Sequence, residues 1–100
     1  MLRASIVLTA TVLSIAAAQA QSVREGESLA RSVCAPCHVV APGTGGGEGP
    51  AFAAVAAMPS TTGLALTAFL QTSHGRMPNI VLSREDIANL AAYILSLKPK

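Results

Sequence analysis

The sequence predicts a small all-α domain, three or more helices wrapped around a bulky group that the chain itself does not supply. Three observations carry that prediction. Three segments show helix caps or helical spacing of apolar residues, and no segment alternates as a half-buried strand does. The chain is also poor in large core side chains, with no Trp, one Tyr and two Phe. About 80 residues remain once a removable leader is set aside, and a core that small needs a staple.

The leader comes first. Arg3 is a short positive region and the stretch 4–18 is apolar and uncharged, followed by Ala18-Gln19-Ala20, a small-residue cleavage site. Residues 1–20 therefore read as a cleaved secretory signal peptide and 21–100 as a single domain. The stretch is short for a membrane span and meets polar, charged residues at once, so no stable membrane insertion is expected once it is cleaved; retention as an anchor is the alternative. For a bacterial chain the destination is the periplasm. Formal charge is +2, and loss of Arg3 leaves six basic against five acidic residues. No basic stripe points to nucleic acid.

The first helix starts at Ser22, with Glu25 completing a capping box, and runs towards Val33. A loop from Ala41 to Gly49, rich in Gly and broken by Pro42, reads as a flexible connection. A middle helix is predicted over Leu64 to Gln71, burying Leu66, Phe69 and Leu70. The last begins at Ser83 with Asp86 in the capping-box place. Its Ile87, Leu90, Ala91, Ile94 and Leu95 form one stripe until Pro99 stops it.

Between the first helix and the loop stands Cys34-Ala35-Pro36-Cys37-His38. Two thiols at this spacing can add to the two vinyl groups of one haem, and the His that follows is then placed under the iron as an axial ligand. The other readings are a disulfide, a thioredoxin-like pair and half a zinc site. Zinc would need a second ligand cluster and the redox pair a βαβ context, and the chain has neither. One covalently attached haem c, with its iron, is the expected cofactor.

The iron's other axial position has a candidate in Met77. Pro78 biases Met77 to an extended backbone, so its thioether can project from a loop, and a thioether trans to His raises the reduction potential. Met58 also precedes a proline, but reads as packing after an apolar segment. His74, in the same loop as Met77, is the rival ligand and would lower the potential.

With these motifs in place, the chain resembles the class I cytochrome c family over nearly the whole segment after the leader. Gly26 stands where that family keeps a small residue for a close crossing of the first and last helices. Leu90 and Tyr93 look like the partner face of that crossing. Gly49-Pro50 follows His38 at the spacing of the family's proline, whose carbonyl receives the proximal His ring N–H. The resemblance implies thioether attachment at Cys34 and Cys37, His38 as proximal ligand with Pro50 behind it, and Met77 as distal ligand. Ala30 is smaller than many members have at the crossing. No Trp is present to bind a haem propionate, for which Arg76 is a candidate.

An iron held from both sides leaves no position for substrate, so the expected function is single-electron transfer and not catalysis. Transient redox donor and acceptor proteins are the expected partners, meeting an apolar patch around Ala35, Pro36, Pro78 and Asn79. The alternatives are a haem c subunit of a larger oxidoreductase complex and a five-coordinate gas-binding or sensory haem protein.

Overall fold

The computed structural model describes residues 22–72 and 75–100. The leader, its cleavage site and His74 lie outside the described residues. Helix α1 covers 22–29 and continues as a π-helical turn, Ala30–Cys34. Helices α2 (Phe52–Ala57), α3 (Gly63–Gln71) and α4 (Arg84–Ser96) follow. Two short antiparallel strands, β1 (Val39–Ala41) and β2 (Thr44–Gly45), form a hairpin between the π turn and α2. The architecture is helical, and the hairpin corrects the expectation that no strand is present. Three and two residues are too short to display alternation, and the turn between them, Pro42-Gly43, needs no pattern. Gly43 takes a positive φ of 72° behind that proline.

Helix α4 forms where its local signals put it. The Ser83 hydroxyl accepts from the Asp86 N–H at 3.0 Å, and the Asp86 carboxylate accepts from the Ser83 N–H at 3.1 Å. It ends at Ser96, before Pro99. Ile87, Leu90, Ala91, Tyr93 and Ile94 are buried along it, and α2 and α3 pack on it. Helix α3 has an N-cap the sequence reading missed, the Thr62 hydroxyl accepting from the Ala65 N–H at 3.1 Å. Helix α2, FAAVAA, was not predicted at all.

Helices α1 and α4 cross at Gly26. A Cβ there would fall 1.9 Å from the Asn89 carbonyl oxygen and 2.8 Å from the Tyr93 Cβ, so only Gly permits the approach. Asn89 and Tyr93 supply the nearest atoms, and Leu90 and Ala30 are both buried in the core. The Tyr93 hydroxyl donates to the Val40 carbonyl at 2.5 Å, tying α4 to β1.

The Gly-rich loop is not the slack connection expected of it. The Gly46 N–H donates to the Ala35 carbonyl at 3.0 Å and the Gly49 N–H to the Cys37 carbonyl at 2.9 Å. A Cβ on Gly45, whose φ is 83°, would fall 2.3 Å from the His38 carbonyl oxygen. The loop is strapped backbone to backbone against the Cys-Ala-Pro-Cys-His segment; Gly45, Gly47 and Gly49 leave no room for a side chain there, and Gly43, Gly45, Gly46 and Gly47 also take positive φ.

Candidate functional site

The π turn delivers the first thiol. The Ala35 N–H reaches back five residues to the Ala30 carbonyl at 3.0 Å, and the N–H groups of Cys37 and His38 both converge on the Cys34 carbonyl, at 3.1 and 2.9 Å. This curls the five-residue motif into a single turn. Neither cysteine is in a disulfide; Cys34 is buried and Cys37 exposed. Burial pushes the Cys34 thiol above its ordinary pKa, because the thiolate would lose its hydration.

His38 is fixed from two sides. Its Nδ1 lies 2.7 Å from the Pro50 carbonyl oxygen, so Nδ1 carries the proton and donates. Its ring packs on Phe52 of α2, with centroids 5.1 Å apart and planes tilted by 47°. With Nδ1 engaged, Nε2 on the opposite side of the ring is the nitrogen available for coordination.

These groups share one cavity of about 900 Å³, lined mostly by apolar side chains. Cys34, Cys37, His38 and Pro50 all line it. Leu66, Phe69 and Leu70 of α3 and Leu90 and Ile94 of α4 supply apolar surface, and Met77, Pro78 and Ile80 come from the loop between those helices. Phe69 therefore does not join the protein core as expected: it is half exposed and faces the cavity. Met58, read as packing, is also a half-exposed part of this wall. Phe52, which sequence reasoning passed over, holds the His38 ring; nothing in an Ala-rich segment distinguishes it beforehand.

The donor set suits a haem and not a bare metal ion. Two thiols, an imidazole and a thioether line an apolar cavity of the size that encloses a cofactor. Among the described residues no group of three or more His, Cys, Asp or Glu could hold a metal ion. At the rim, Arg76 pairs with Glu48 at 3.0 Å, both strongly exposed, so the expected propionate partner has a carboxylate of the chain beside it.

Comparison with known proteins follows the same line. The family described as cytochrome c oxidase, cbb3-type, subunit III matches residues 21–94. The chain belongs to that family and is a small monohaem c-type cytochrome. Cytochrome c-552 of Bradyrhizobium diazoefficiens is 39% identical over 100 residues, covering 98% of this chain and 96% of the relative. No solved structure matches. The cytochrome carries covalently bound haem c and is an electron-transfer protein, not an enzyme. No helix among the described residues is long and apolar enough to cross a membrane.

Proposed function

We propose that this cytochrome is a periplasmic single-electron carrier whose haem iron is held by His38 and Met77. Cys34 and Cys37 are the attachment points. One observation carries the reading: His38, with Nδ1 engaged by Pro50, and Met77 line the same cavity as the two thiols. When bound, the haem supplies a one-electron ferric–ferrous couple. The chain's part is to orient His38, to present the Met77 thioether and to keep water from the iron with the apolar walls of α3 and α4. Transient redox proteins serve as donor and acceptor.

Replacing Met77 by Ala is expected to abolish the ferric sulfur-to-iron band in the red and to lower the potential by on the order of 0.1–0.3 V, within the roughly 0.8 V that axial ligands command. A sulfur band that persists removes Met77 from the iron and makes Met58, on the same wall, the ligand to test; a wild type without that band makes it His74. A high-spin wild-type spectrum that responds to CO would point to the sensory reading.

The family match favours one further reading, a haem c subunit of a larger oxidoreductase complex. Stable co-purification with a catalytic subunit supports that role; a monomeric native protein supports the free carrier.

A further inference from the structure

Gly49 lies where the molecule has no room for a side chain. A Cβ on it would fall 2.6 Å from Cε1 and 2.8 Å from Nδ1 of His38, and 2.8 Å from the Cys37 carbonyl oxygen. The ring cannot retreat cheaply, because Nδ1 is held by the Pro50 carbonyl at 2.7 Å and the ring packs on Phe52. The Cys37 carbonyl is equally fixed, since it accepts the N–H of Gly49 itself at 2.9 Å. Gly49 is not among the glycines with positive φ, so its φ does not by itself call for glycine. Clearance for the imidazole, not backbone geometry, is what requires glycine here.

We infer that Gly49 is a positioning residue for the haem iron. By offering bare backbone to His38 it holds the ring where Nδ1–H meets the Pro50 carbonyl, and so sets the electron donation of the imidazole. A ring that donates this hydrogen bond is a more basic ligand and favours the ferric state. Any side chain at residue 49 turns the ring, weakens the bond and favours the ferrous state. The inference rests on the proposal that His38 ligates the iron.

The test compares wild-type, G49A and G43A holoproteins by redox titration and by NMR exchange of the His38 Nδ1–H in the ferrous state. Gly43 shares the loop and has a positive φ of 72°, with nothing within 4 Å of an added Cβ, so its substitution strains the loop without touching the ring. G49A is expected to raise the reduced-to-oxidised ratio at fixed ambient potential by about threefold or more, or about 28 mV at 59 mV per tenfold change. It should also speed Nδ1–H exchange. G43A is expected to lower the denaturation midpoint while leaving ratio and exchange at wild-type values. A wild-type ratio with protected Nδ1–H in G49A overturns the inference, as does a G43A shift equal to that of G49A. If G49A does not accumulate as holoprotein, G49A combined with F52L, which frees the other face of the ring, decides against F52L alone: a raised ratio with faster Nδ1–H exchange supports the inference, and the F52L ratio with the F52L exchange rate overturns it. A wild-type spectrum without His-ligated iron overturns the ligand assignment itself, whereas His ligation with an unshifted G49A overturns only the role of Gly49.

Discussion

The hydroxyl of Tyr93 is buried and donates to a carbonyl of β1, a role the sequence does not announce. Its pKa is raised above the ordinary 10.0, first by burial and then by the Glu27 carboxylate, with Arg31 acting in the opposite direction. A raised pKa means that the folded state favours the protonated phenol. The stabilisation it brings is complete below the unfolded value and is lost as pH climbs from there through the folded value. Tyr93→Phe leaves the buried Val40 carbonyl without its donor and is expected to lose about 1–3 kcal/mol at neutral pH. Denaturant titrations near neutrality and in the alkaline range check both parts: the wild type should weaken in alkali more than the variant, and equal alkaline loss would refute the assignment.

At the scale of elements, the crossing of α1 and α4 leaves least room for change. The atom nearest an added Cβ at Gly26 is a backbone carbonyl, which no rotamer change can move aside. Gly26→Ala is expected to cost about 3 kcal/mol or more, at or above the top of the usual range for overpacking, and the denaturation midpoint reads it. Which elements could be read in advance follows from where their signals reside. Helix α4 carries its start and its buried stripe within its own residues. Helix α2 has no cap and no charge, and its four alanines mark no face. The glycines of the strap declare only that side chains are absent; what they lie against is set by segments elsewhere in the chain. Phe69 was rightly read as apolar, but periodicity cannot say whether the apolar neighbour is protein or cofactor.

For the whole molecule, a core of small and aliphatic side chains shares the interior with the cavity, which accounts for the scarcity of aromatic residues. The attachment motif was legible because the chemistry of two thioethers dictates its spacing. The cavity wall was not, because it is assembled from all four helices and the segments between them. Its rim is close to neutral: Glu48 and Arg76 offset each other, and exposed Pro36, Pro78 and Asn79 add no charge. Second-order electron-transfer rates with the physiological partner are therefore expected to change less than about threefold from low to physiological salt, where steered pairs lose 10- to 1000-fold. A steep fall in a stopped-flow salt series would show that charge guides docking.

The bond from Tyr93 to Val40 joins residues 53 apart, and the crossing at Gly26 reaches further still along the chain. Closing such a loop costs entropy that only contacts at its far end repay. A chain emerging N-terminus first from a ribosome holds α1, the hairpin, α2 and α3 before it holds α4. Until Tyr93 emerges, Val40 has no donor and Gly26 has nothing to cross. Completion of the fold therefore waits for α4, and loss of that one helix would take from α2 and α3 the surface on which both pack.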